Sequence, residues 1–294
     1  MVNTPSPFSS IEGSDRISAF AQLFRLPVSL VAGLAGATTS YALNSTLPLQ
    51  QYLLTASVLV CMTSAACAIN DYWDIDKDRI NHPSRPLPSG RLSLEQVWWA
   101  AVVLFVCALI ASIPLGLYAF ILVAVSSVLL WHYSHLLKYS GLLGNAIVAT
   151  IIAFLILLGS LVAGKPLAML YPLGFLFCYA LARELIWDVH DAEGDLCQGI
   201  VTVANRWGER TAFLITWGLI GVLIASIPIA LVLLPMAHPL LFAIFSSIML
   251  LSFGIPLFLY QKQPSESNCE RLVFWERIGM LLGVIGLLGT APPL

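Results

Sequence analysis

Apolar positions dominate this chain in nine long runs, approximately 18–42, 49–69, 95–113, 117–135, 143–163, 167–187, 211–234, 240–260 and 272–290. Each is long enough for a helix to cross the bilayer core, which takes about 20 residues. None shows the alternation of a barrel strand. Breakers separate paired runs: Pro114 with Gly116, Gly164 with Pro166, Pro235 with Pro239. The pattern predicts an all-α, polytopic membrane helix bundle of about nine transmembrane helices. Eight result if the weaker last run does not cross.

Composition excludes a soluble domain. Of the 294 residues, 59% are hydrophobic and 10% charged, against about a quarter charged in soluble proteins. With nine crossings, one membrane face receives the N-terminus and the loops at 70–94, 136–142, 188–210 and 261–271. Counting helix ends with their nearer loop, that face holds all 16 acids and every one of the 14 bases except Lys165. The positive-inside rule makes it the cytoplasmic face. Acids contribute little to orientation, so a functional site is the better reason for theirs. Residues 1–15 are polar and read as a mobile tail, lacking the basic start and apolar core of a signal peptide. Residues 16–294 read as one transmembrane domain. The six cysteines are scattered without a CxxC pair or metal spacing and read as apolar filler. No basic cluster points to nucleic acid.

The acids themselves repeat. Asp71, Asp74 and Asp78 in NDYWDIDKD recur as Asp188, Asp191 and Asp195 in DVHDAEGD, each displaced by the same 117 residues. The acid between the last two members recurs as well, as Asp76 and Glu193. Spacings of three and four put each triplet on one face of a helix. Four crossings separate the motifs, so both return to the same face and meet over a central cavity open to that face. Each motif starts where an apolar helix ends, which places the acids at a solvated rim and not at mid-bilayer, where ionised carboxylates are costly. Facing carboxylates suit hard divalent cations, and with them a phosphate or diphosphate.

These residues resemble the UbiA superfamily of intramembrane prenyltransferases over nearly the whole chain. Asn70, Asp71, Asp74 and Asp78 are similar to its first Asp-rich motif, NDxxDxxxD, which continues into RINHPSRPLPSG as NxPxRPxxxG. Asp188, Asp191 and Asp195 match the second. YSHLLK resembles a tyrosine-and-lysine motif through Tyr133 and Lys138, and FRLPVSL an arginine-proline entry to the first helix through Arg25. The resemblance implies a prenyl diphosphate substrate held through Mg²⁺ by Asp71, Asp74, Asp188 and Asp191, with Asp78, Asp195 and Asn70 as further ligands or supports. It makes Arg25, Arg85, Tyr133 and Lys138 the diphosphate donors. A lipophilic acceptor, or none, captures the allylic cation. Tyr72, Trp73 and Trp187 are candidates to line that cation, although aromatic residues also gather at membrane interfaces. His132 and His135 read as packing residues, and Arg183 with Glu184 as an ion pair or a support of the acids.

The motifs are most similar to the subgroup that attaches geranylgeranyl to a glycerol-phosphate lipid. That subgroup's second motif commonly carries lysine where this chain has Trp187 and a carboxylate where it has His190. Both departures remove charge, which opens an aromatic acceptor or a terpene cyclase using no acceptor. A transporter is the competing class. Its coupling site is expected near the midplane on broken helices, whereas these acids gather at one rim.

Overall fold

A computed structural model describes residues 13–133, 135–136 and 140–293. The apolar runs become long helices: α2 (Leu26–Leu43), α3 (Leu49–Trp73), α5 (Leu94–Ser112), α6 (Leu117–Tyr133), α7 (Leu142–Val162), α8 (Leu170–His190), α11 (Glu209–Leu233), α12 (Pro239–Lys262) and α13 (Glu266–Gly289). Short helices complete the chain: α1 (Gly13–Leu23), α4 (Ile75–Asn81), α9 (Ala192–Cys197) and α10 (Val203–Trp207). Among the described residues eight helices are long and apolar enough to cross a membrane, while α6, at 17 residues, is shorter. The nine expected runs are therefore all helical. The short member is α6 and not the last helix. Residues 1–12 of the expected tail lie outside the described residues, and α1 begins at Gly13 inside the stretch read as tail.

The first expected span is broken by Arg25, whose φ of 44° is the one positive value outside glycine among the described residues. A left-handed conformation disfavours any side chain with a Cβ, by roughly 1–2 kcal/mol. Pro27 in the first turn of α2 sets the new helix direction. Ser93 starts α5 with a reciprocal capping box to Gln96.

Two large buried clusters and a smaller one around Leu43, Ile156 and Met169 form the core. One of the large clusters joins α1, α3, α5 and α6 through Leu23, Val58, Ile69, Val97 and Phe105. The other joins α8, α11, α12 and α13 through Tyr179, Leu185, Ile220, Phe253 and Leu257. Between them α2 crosses α7 at Gly36 and Gly159, where a Cβ on Gly159 would lie 2.6 Å from the Gly36 carbonyl oxygen. Small residues permit this approach, the usual basis of helix association in lipid. Far from the Asp-rich motifs, Lys165 donates from Nζ to the Leu43 carbonyl at 2.9 Å. It satisfies the end of α2 and explains the one charge on that side.

Candidate active site

Each Asp-rich motif is a helix, a one-residue break and a short second helix. Asp71 lies in the last turn of α3, Asp74 at the break (φ −98°, ψ 13°) and Asp78 on α4. Asp188 ends α8, Asp191 occupies the equivalent break (φ −92°, ψ 6°) and Asp195 lies on α9. The sequence repeat is thus a repeat of backbone conformation. The expectation of one unbroken helical face per triplet is corrected, because both middle aspartates sit in the bridge region between helices.

Four of the six motif acids are buried and not at a solvated rim: Asp71, Asp74, Asp78 and Asp195 are 2%, 3%, 0% and 2% exposed, while Asp188 and Asp191 are half-buried. Buried carboxylates need partners, and the chain supplies them. Arg25 Nη2 reaches Asp71 at 3.1 Å. Arg85 Nη1 contacts both Asp78 oxygens, at 2.7 and 2.8 Å, and lies 3.6 Å from Asp71. Asn70 Nδ2 donates to Asp74 at 3.0 Å, and Asn145 Nδ2 to Asp188 at 2.7 Å. Lys77 bridges from the first motif to the second, 2.9 Å from Asp195 and 3.4 Å from Asp191. Burial opposes its charge, yet Asp191, Asp74 and Asp195 raise the ammonium pKa above its ordinary value.

Asp191 has the densest surroundings. Its Oδ1 lies 3.1 Å from His82 Nε2 and 2.9 Å from His190 Nδ1. Burial alone would raise its pKa, but the hydrogen bonds with His190 and His82 and the Lys77 charge hold the carboxyl well below the usual range. In Asp78 and Asp195 burial wins over the neighbouring cation, and both are pushed up.

The motifs are clasped at Asn81. Its Nδ2 donates to the Asp191 carbonyl at 3.0 Å, and its Oδ1 accepts from the Gly194 amide at 3.2 Å. A Cβ on Gly194 would stand 2.5 Å from Asn81 Nδ2. Gly194→Ala is expected to push α4 from α9 and to lower turnover at least tenfold, while the apolar bundle keeps its thermal midpoint within a few degrees. A turnover like that of the parent chain would show the clasp to be dispensable.

A single cavity of about 1330 Å³ joins the site to the bundle interior. Asp74, Asp188, Asp191 and Asp195 are in its wall, with Arg25, Asn70, Arg85, Tyr133 and Trp187. Asp71 and Asp78 are not in that wall; they stand behind it, held by the two arginines. Tyr72 and Trp73 are also outside it: Tyr72 packs on Trp98 at 5.0 Å, and Trp73 stacks on His135 at 4.9 Å. His132 and His135 are side by side at 3.4 Å, His132 exposed and both off the cavity wall. Lys138 lies outside the described residues. Away from the motifs the wall is apolar, with Pro172, Phe242 and Leu287. Phe274 and Arg277, exposed on α13, also form part of the wall.

Arg183 extends the polar wall inward. It pairs with Glu184 at 2.9 Å and with buried Glu276, and its guanidinium lies 5.7 Å from the Trp187 ring centre. The pairing with Glu184 was legible in the sequence, whereas Glu276, 92 positions further on, was not.

Comparison with known proteins decides the class. The sequence pattern of the UbiA prenyltransferase family matches residues 29–278. This chain belongs to the UbiA prenyltransferase family. It is 35% identical over 217 residues to a digeranylgeranylglyceryl phosphate synthase from Sulfolobus acidocaldarius, covering 72% of this chain and 78% of the relative. The Saccharolobus solfataricus synthase of the same name is 28% identical over 285 residues, covering 94% and 98%. The solved structure of a UbiA homolog from Archaeoglobus fulgidus bound to GPP and Mg²⁺ shares the fold, with a TM-score of 0.70 at 16% identity, over 91% of this chain and 98% of that one. This UbiA protein is accordingly an integral, multi-pass membrane prenyltransferase, and the transporter alternative falls away.

The residues that sequence reasoning passed over are Lys77, Asn81, His82, Asn145 and Gly194. Asn145 offered a signal, as an amide inside the apolar run GLLGNAIVAT, where polar residues are often functional. Asn81 offered one as the first residue of the NxPxRPxxxG stretch, whereas Lys77 offered none, since its ion-pair partners lie in the other motif.

Proposed function

We propose that this enzyme ionises a long prenyl diphosphate with the help of Mg²⁺ and passes the prenyl group to a glycerol-phosphate lipid. The observation that carries the reading is a cavity with four motif carboxylates at one end and apolar side chains at the other. Asp74, Asp188, Asp191 and Asp195, with the Asn70 amide, form a hard oxygen donor set that fits Mg²⁺. Asp71 and Asp78 support it from behind through Arg25 and Arg85. When bound, the cation neutralises charge that develops on the leaving diphosphate.

The chain's own groups do the rest. Arg25 and Arg85 face the cavity beside their carboxylates and can offer donors to diphosphate oxygens. Tyr133 adds a hydroxyl from α6 and Trp187 a π face near the reacting carbon. The apolar walls keep water from the allylic cation. Along α8, Asp188 and Pro172 both line the cavity, and roughly 24 Å of helix axis separates them at 1.5 Å per residue. An extended chain of four isoprene units is about 20 Å long from its bond lengths, so a geranylgeranyl-sized group fits. The motif end is proposed to face the cytoplasm, since all charges but Lys165 lie towards it.

The relatives' names favour the phosphorylated acceptor. Trp187 favours a second reading, an aromatic acceptor, because Arg183 beside it is neutralised by Glu184 and Glu276. Product analysis of the purified protein with geranylgeranyl diphosphate and Mg²⁺ tests both. Turnover that appears only with a glycerol-phosphate ether and stops with EDTA is the expected result. Turnover with a phenol alone establishes the second reading, and Trp187→Lys should then shift preference towards the phosphorylated acceptor. Hydrocarbons formed with no acceptor would overturn both in favour of a cyclase.

A further inference from the structure

His82 lies on the segment after α4 and His190 at the end of α8, 108 positions apart, yet both rings point at one oxygen. His82 Nε2 and His190 Nδ1 approach Asp191 Oδ1 at 3.1 and 2.9 Å. The rings stack face to face, with centroids 5.5 Å apart and planes 11° apart. One donor atom from each of the three residues falls within 4.8 Å of the others. All three side chains border the cavity, so the cluster is open to a small ion. Cys269 on α13 borders the same cavity.

The two Asp191 oxygens face different groups. Oδ1 turns to the imidazoles, while Oδ2 lies 3.4 Å from Lys77 Nζ. Lys77 repels a cation there, but Asp195 at 2.9 Å shares that ammonium charge. Two imidazoles and one carboxylate form a donor set that magnesium, a hard cation, does not prefer. Imidazole nitrogen instead suits first-row dications such as zinc and nickel, with cobalt as their spectroscopic stand-in.

We infer that His82, His190 and Asp191 form a binding site for a borderline transition-metal dication, distinct in donor type from the all-oxygen set of Asp74, Asp188 and Asp195. Its occupant takes Asp191 away from the oxygen set, so zinc acts as a competitor of the catalytic cation. Binding stands on the three side chains alone; only the effect on turnover rests on the prenyl-transfer reading.

Cobalt(II) titration of the purified full chain in lipid nanodiscs, followed by visible absorption, tests the binding without any substrate. The expected result is a set of nitrogen-ligated Co²⁺ bands that Zn²⁺ bleaches stoichiometrically, whereas Mg²⁺, which shares only Asp191 with the site, weakens Co²⁺ binding only in large excess. His82→Gln and His190→Gln should each weaken Co²⁺ binding by at least the roughly 10–100-fold that even a supporting partner is worth. His132→Gln, at the exposed His132–His135 pair, should leave the bands unchanged. Bands that survive both variants, vanish in His132→Gln or are bleached by Mg²⁺ as readily as by Zn²⁺ would overturn the site. X-ray absorption on the unmodified protein decides the matter should a variant fail to fold. Two imidazole shells near 2.0–2.1 Å support the site, and an oxygen-only shell overturns it.

Discussion

Asp74→Ala and Asp191→Ala are each expected to lower kcat by about 10³-fold or more, with the protein still folded in detergent. Both carboxylates line the cavity from the equivalent break of their motifs. Losing a cation ligand forfeits several kcal/mol of charge stabilisation, and about 4 kcal/mol corresponds to three decades in rate. The fold tolerates either change because neither side chain fills the apolar core. In Asp191→Ala, Lys77 keeps Asp195 as its partner. Asp74→Ala removes the acceptor of the Asn70 amide, itself on the cavity wall. Turnover with geranylgeranyl diphosphate, beside circular dichroism and size-exclusion profiles, is the check. Near-parental rates in both variants would remove these acids from the reaction.

Arg85→Leu is expected to have the largest effect on stability. Asp78 is fully buried, and Arg85 Nη1 contacts both of its oxygens. Removing one member of a buried pair leaves the other charge stranded, at about 3–5 kcal/mol. Arg85→Lys keeps the charge but replaces the planar guanidinium with a point donor, and a smaller loss follows. Thermal midpoints in one detergent rank the three proteins. If Arg85→Leu melts with the parent chain and only KM for the diphosphate rises, Arg85 is a substrate donor and not a strut between Asp78 and the site.

Much of this enzyme is legible without coordinates. Lipid admits few backbone solutions, so the nine apolar runs could only be helices, and their breakers marked the turns. The restriction of charge to one end followed from the expense of charge in hydrocarbon. The offset of 117 residues identified Asp71, Asp74, Asp78, Asp188, Asp191 and Asp195 as one set. It could not divide them, because Asp74 and Asp71 look alike in a string although one lines the cavity and the other is held behind it by Arg25.

The sequence by itself therefore determined the membrane bundle, its charged end and the two Asp-rich motifs, since all three depend on local periodicity and on what a bilayer excludes. Tertiary structure decided which acids face the cavity, that most are buried and paired, and that Lys77, Asn81 and Asn145 hold the motifs in register. It also brought His82 and His190 to one oxygen of Asp191. Apart from local pairs such as Asn70 with Asp74 and Arg85 with Asp78, those contacts join residues more than 40 positions apart, which only the packing of the helices sets.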